Sequence, residues 1–183
     1  GNDALEEGVD ACVSTWRRVG AGSSPAIAKA TANYLNSQLV KMEALTNGFA
    51  EGIALDDHGY VSEGSGENVF LALDGQLLTP AVSSSILPGI TRNSILRLAE
   101  EMGIPTRRES IPRGVLYTCD QAFFTGTAVE VTPIRSIDRI PVGDGKPGPI
   151  TRRLMQEYLG ITRGELADRF GEPGLRALRL ARG

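Results

Sequence analysis

The chain has 183 residues, 41% hydrophobic and 22% charged, which is room for one domain with a real buried core. A net charge of −3 with no basic block argues against a nucleic-acid partner. No apolar run approaches the roughly 20 residues that would cross a bilayer, so no membrane partner is expected.

In chain order, a short polar lead precedes a strand over residues 9–16, with Val9, Ala11 and Val13 on one side. Residues 19–25 are rich in Gly and Ser and read as a loop. Residues 30–47 read as a helix with Leu35, Leu39, Met42 and Leu45 on one face, stopped by Gly48. Two hairpins follow, one turning at Asp57-His58-Gly59 and the other at Asp74-Gly75, a strong short-range hairpin signal.

Residues 91–102 read as a helix with a stripe of Ile95, Leu98, Ala99 and Met102, ended by Gly103. A strand is expected over 106–111, a short helix after Pro112, and a buried strand over 122–125 that ends at Gly126. Residues 131–140 read as a strand interrupted by Pro133, residues 143–149 as a loop, and residues 150–159 as the last clear helix. The tail ends in a marginal amphipathic stretch over 175–182. Mixed short strands and helices of this kind indicate an α+β fold.

The single histidine, His58, sits among Asp and Gly and reads as an exposed turn residue. A Ser-His-Asp or Cys-His site has only that one candidate, and a histidine-rich metal centre has none, so no metal is expected. Cys12 and Cys119 lie far apart without metal-ligand spacing. They read as buried free thiols of a reducing, cytoplasmic compartment, and no signal peptide is evident. Chemistry in this chain therefore falls to Lys, Glu, Tyr, Thr and backbone groups.

Four segments carry such groups. In Lys29-Ala30-Thr31-Ala32-Asn33-Tyr34-Leu35-Asn36-Ser37, small apolar neighbours around Lys29 disfavour the ammonium form, and only the free amine attacks an aldehyde or moves a proton. Tyr34 reads from its position either as a core aromatic of the helix or as a site hydroxyl. In Ser62-Glu63-Gly64-Ser65-Gly66-Glu67-Asn68, directly after a strand, the glycines let the backbone approach a ligand closely. Glu63 is either a solvated loop carboxylate or the partner of a ligand cation; Glu67 reads as a structural brace.

Leu87-Pro88-Gly89-Ile90-Thr91-Arg92 opens a helix whose free N–H groups favour an anion, with Thr91 as N-cap, as a hydroxyl donor, or as both. Gly126-Thr127-Ala128-Val129-Glu130 follows a buried strand and supplies a second hydroxyl. An amine, an acid and donors for a phosphate are what a pyridine aldehyde phosphate requires of a protein.

Together these segments resemble the fold type IV pyridoxal-phosphate enzymes, and within them the branched-chain amino acid aminotransferases, over about residues 4–159. The resemblance implies the large domain of the D-amino acid aminotransferase-like fold, mixed strands in a barrel-like core flanked by helices, over residues 1–160, with residues 161–183 as a tail. It implies pyridoxal 5′-phosphate as cofactor, held as an internal aldimine on Lys29, which then shuttles the proton. Tyr34 would meet the ring oxygen, Glu63 the ring nitrogen and Leu87 the ring face. Ile90, Thr91 and Thr127 would hold the phosphate, and the N–H groups of Thr127 and Ala128 the substrate carboxylate.

The resemblance further implies a homodimer that transaminates leucine, isoleucine or valine with 2-oxoglutarate. Relatives on the same fold perform D-amino acid transamination or aminodeoxychorismate lyase chemistry, and a non-catalytic domain could keep the fold for assembly. The family's N-terminal domain, which adds an arginine to the phosphate and much of the substrate pocket, has no counterpart in residues 1–28. Weak cofactor retention and negligible turnover are the expectation for these residues alone.

Overall fold

The computed structural model describes residues 2–20 and 31–167. Its core is one curled, nine-stranded sheet in the order β3-β2-β1-β8-β7-β4-β5-β6, with β9 paired to β8. The strands are β1 (Val9–Arg17), β2 (Glu51–Leu55), β3 (Val61–Gly64), β4 (Asn68–Leu73), β5 (Gln76–Pro80), β6 (Thr106–Glu109), β7 (Gln121–Gly126), β8 (Glu130–Ile137) and β9 (Ile140–Pro141). The helices are α1 (Asn2–Glu7), α2 (Thr31–Thr46), α3 (Ile90–Glu101) and α4 (Pro149–Arg163).

Two links force the curl. β3 lies at one end of the strand order, yet only three residues separate it from β4, and Gly64 N–H donates to Glu67 O across that turn. At the other end, the chain leaving β6 returns to the start of β3, where Val61 N–H donates to Ile111 O at 2.8 Å and Tyr60 bridges Pro112. The two ends of the sheet therefore meet, and the fold is the barrel-like α+β core expected.

Alternation along the strands sorts two cores. Val69, Leu71, Ala122 and Phe124 point into the barrel with Ile53, Leu55 and Ile134. Phe70 and Phe123 point the other way, stacked at 5.1 Å, and meet Ile95, Leu98, Leu154 and Tyr158 of α3 and α4. β4 is covered on both faces, which explains why its sequence is almost wholly apolar. The Asp74-Gly75 hairpin forms with both residues at positive φ, as a two-residue turn of this type requires.

Several elements differ from the sequence reading. The polar lead forms α1, and β8 runs through Pro133 without a break, because that residue faces Phe123 in the ladder and the strand stays paired on both sides. The end of the expected strand at 131–140 turns at Asp138 and Arg139, both at positive φ, into β9. α4 continues to Arg163, burying Ile161. The stretch 175–182 lies outside the described residues.

The largest correction concerns α2. Its expected inward stripe faces outward: Leu35, Met42 and Leu45 are exposed. The buried face instead carries Asn33, Val40 and Ala44, set against β1 and β2. Gly52 on β2 explains the choice, since a Cβ there would collide with Val40. Small groups let helix and sheet approach, and that contact outweighs the leucines.

Candidate functional site

At one end of the barrel, four loop and strand ends enclose a cavity of about 400 Å³. Arg18 directly follows β1, α2 contributes Tyr34 and Ser37, β3 brings Glu63, and the turn into β4 brings Ser65 through Asn68. The segment before α3 brings Leu87 through Thr91, and the β7–β8 turn brings Thr125 through Ala128. Tyr34, Glu63, Leu87, Ile90, Thr91, Thr127 and Ala128, far apart in sequence, thus line one space. Lys29 lies outside the described residues.

Glu63 sits within β3 rather than after it, and it is not a solvated loop carboxylate: only 5% of it is exposed. Its Oε1 accepts from Arg18 Nη2 at 2.6 Å. Its Oε2 accepts from Leu87 N–H at 3.0 Å and from Asn68 Nδ2 at 3.1 Å. Burial pushes its carboxyl up to about 7, against the opposing pull of the Arg18 guanidinium and the Leu87 N–H. Asn68 Nδ2 also donates to Leu87 O at 2.8 Å, which clamps the segment before α3 onto the acid. Gly89 follows from this clamp, because a Cβ there would strike Asn68 Oδ1.

α3 starts at Ile90 with Gly89 as N-cap and no side chain capping its first turn. Thr91 is buried, and its hydroxyl lies 3.4 Å from Tyr158 Oη. Free first-turn N–H groups beside that hydroxyl are donors of the kind that could receive an anion. Thr125, also in the wall, has a buried hydroxyl without a hydrogen-bond partner among the described residues. Arg92 is not part of this wall: its guanidinium reaches Pro80 O at 2.9 Å and Thr79 Oγ1, fastening α3 to β5. Tyr34 is half-exposed beside the cavity, so it is no core aromatic.

Glu67 braces the turn, as expected, with its carboxylate accepting from Gly66 N–H. It also lines the cavity and faces Glu51, whose carboxylate pairs with Lys41 at 2.7 Å. Burial first, and then the neighbouring Glu51 charge, push the Glu67 carboxyl up to about 7. The chain holds three lysines, Lys29, Lys41 and Lys146. Lys41 is engaged by Glu51 and Ala50 O, and Lys146 lies in the loop before α4. Neither lines the cavity.

Sequence reasoning did not single out Arg18 or Asn68. Arg17 and Arg18 are neighbours of the same type, one exposed and one buried, and nothing local separates them. Asn68 carried a signal, since a β-strand opened by Asn directly after a Gly-rich turn suggests a side chain bonding nearby backbone. His58 is exposed at its turn. Cys12 and Cys119 are buried and free, and burial pushes both thiols up to about 11. Among the described residues no helix is long and apolar enough to cross a membrane.

Residues 2–137 match the family described as Amino-transferase class IV. A branched-chain-amino-acid aminotransferase of Escherichia coli (strain K12) is 51% identical over 171 residues, which are 93% of this chain and 55% of that protein. The crystal structure of the Escherichia coli branched-chain amino acid aminotransferase superposes with a TM-score of 0.91, again covering 93% of this chain and 56% of that one. A T.th. branched-chain amino acid aminotransferase with pyridoxamine 5′-phosphate superposes at 0.89, with 42% identity over 93% of this chain and 56% of that one. The chain spans about half the length of the relatives it matches.

Proposed function

The chain belongs to the class IV amino-transferase family, and from that premise we propose that it is the cofactor-holding part of a branched-chain amino acid aminotransferase. The single observation that carries this reading is the cavity. A buried carboxylate that has one lone pair to spare among the described residues shares that cavity with an uncapped helix N-terminus and a buried threonine hydroxyl. A flat cationic heterocycle bearing a phosphate is the ligand class this set suits.

The residues fit pyridoxal 5′-phosphate. Glu63 would face the ring nitrogen, Ile90 and Thr91 N–H groups and the Thr91 and Thr127 hydroxyls the phosphate, Leu87 the ring face, and Tyr34 the ring oxygen. Thr125, with its unpartnered hydroxyl, adds a donor to the same wall. When bound, the cofactor supplies an electron sink for the α-carbon of an amino acid.

Lys29 Nζ would hold the cofactor's aldehyde and then carry the proton taken from the substrate α-carbon. It must be uncharged to do so, and its small apolar neighbours in sequence favour that form. Glu63 would keep a negative charge against the ring N–H, for which its proton must leave. A cation placed beside it lowers its pKa from about 7 and makes that happen. The N–H groups of Thr127 and Ala128, in the exposed β7–β8 turn, would orient the substrate carboxylate.

Leucine, isoleucine and valine as donors, 2-oxoglutarate as acceptor, a homodimer, and one large domain over residues 1–160 complete the reading. Support for the substrate class comes from the names of the relatives. Borohydride reduction of the chain mixed with pyridoxal phosphate, followed by peptide mapping, tests it. Only three lysines compete. Label on Lys29 is expected; label on Lys41 or Lys146 alone contradicts the assignment. Keto acids formed from leucine, isoleucine and valine, rather than from D-alanine, once the chain is joined to the family's N-terminal domain, test the substrate class.

A further inference from the structure

We infer that Arg18 is a positioning residue for the acid: it decides which oxygen of Glu63 receives a ligand's N–H and ties that oxygen to the helix following Lys29. This rests on the reading of Glu63 as partner of a ring nitrogen.

The assignment comes from counting acceptor sites. A carboxylate oxygen offers about two lone pairs. Oε2 of Glu63 spends both, on Leu87 N–H and Asn68 Nδ2. Among the described residues Oε1 accepts from Arg18 Nη2 alone, so the remaining lone pair lies on Oε1. A donor entering the cavity meets the oxygen that Arg18 already orients.

The other end of the guanidinium fixes α2. Nη1 donates to Asn36 Oδ1 and to Ser37 Oγ, each at 3.1 Å. Asn36 Nδ2 returns to Arg17 O at 2.8 Å, and Arg18 N–H is pinned to Leu55 O at 2.8 Å. α2 begins two residues after Lys29. One planar fork therefore spans the acid and the helix that follows the amine in sequence. A lysine cannot reproduce this, because its ammonium is a single point rather than a fork.

Stability alone explains the arrangement poorly. Two buried charges lose their hydration, and the pair recovers it only when every donor is satisfied. Arg18 Nε has no partner among the described residues. A costly, incompletely satisfied ion pair in the wall of a cavity is the pattern of a tuned site.

The test reads Glu63 directly, without cofactor. In the 183-residue chain labelled with 13C at glutamate carboxyls, the Glu63 signal is identified by its loss in Glu63→Gln and titrated. The wild-type midpoint is expected near 7. Arg18→Gln, neutral and still able to donate to the acid, should raise it by about one to three pH units. A folded Arg18→Gln chain whose Glu63 titrates as in wild type would overturn the proposal.

If Arg18→Gln does not fold, Asn36→Ala combined with Ser37→Ala keeps the charge and releases Nη1. The midpoint should then rise by a smaller amount, and no change counts against the proposal. A second readout uses pyridoxal phosphate labelled with 15N in the ring: its nitrogen signal should move toward the unprotonated position in the variant at pH 7.5. Borohydride label away from Lys29 would remove the cofactor reading while leaving the carboxyl titration standing, so the two failures are distinguishable.

Discussion

Glu63 and Glu67 sit four residues apart on either side of one turn, and both carboxyls are pushed up to about 7, yet they differ in kind. Glu63 is surrounded by donors: a guanidinium, an amide and a backbone N–H. Burial alone holds its proton on, and an added cation removes it. Glu67 faces another carboxylate, Glu51, so like charge as well as burial holds its proton. The first is an acid that a cation would discharge of its proton; the second is raised partly by the like charge beside it. Equal pKa values do not imply equal roles, because what matters is which neighbour would change them.

The sharpest way to break this contrast is to remove each charge in turn. In a chain that also carries the family's N-terminal domain, Glu63→Gln should lower the rate of amino transfer by about 10²–10³, the scale for losing one oriented electrostatic partner. Glu67→Gln should change it by less than about threefold, since Glu67 braces the turn and faces Glu51 rather than pairing with a ligand's charge. Steady-state kinetics with leucine and 2-oxoglutarate would check both, and equal losses would erase the distinction.

Stability against pH sharpens the comparison next. Both folded-state values lie above the ordinary carboxyl value of 4.5, so the folded chain binds these protons more tightly than the unfolded one. Their contribution is fully present below about 4.5 and is lost as pH rises through about 7. For Glu63 this is on the order of 3 kcal/mol. Urea unfolding from pH 4.5 to 8 should show the decline without cofactor. Glu63→Gln and Glu67→Gln should each flatten part of it, and bound pyridoxal phosphate should flatten only the part that belongs to Glu63.

A smaller effect is expected at Gly89. Gly89→Ala drives a methyl into Asn68 Oδ1, and the amide cannot yield because its Nδ2 is tied to Glu63 Oε2 and Leu87 O. Thermal unfolding should register a loss of about 1–3 kcal/mol. The smallest effect belongs to the outer stripe of α2: Leu35→Gln should alter the stability of the chain by less than about 0.5 kcal/mol.

That last prediction marks where the sequence stopped being readable. α2 and α3 both carry apolar residues at helical spacing, but only the α3 stripe is buried. Periodicity identifies a face, and the neighbour decides which way it points; for α2 the deciding group is the missing side chain of Gly52. The hairpin at Asp74-Gly75 was legible because its backbone geometry is local. Closure of the barrel through Tyr60 and Pro112 was not, since it depends on pairing between residues far apart in the chain.

At the site, the groups picked out by residue type and motif that fall within the described residues do share one cavity. The groups that hold those groups were not legible. Arg18 and Asn68 act through geometry set by four separate segments, and their neighbours in sequence give little hint of it. Side chains that orient other side chains leave the weakest trace in a single sequence.

A crystal of the chain soaked with pyridoxal phosphate is the most direct trial of the cofactor geometry. The phosphate is expected at the first turn of α3, against Ile90 and Thr91, and the ring nitrogen within hydrogen-bonding distance of Glu63 Oε1. A cofactor seated elsewhere, or one in this cavity with its nitrogen turned away from Glu63, contradicts it.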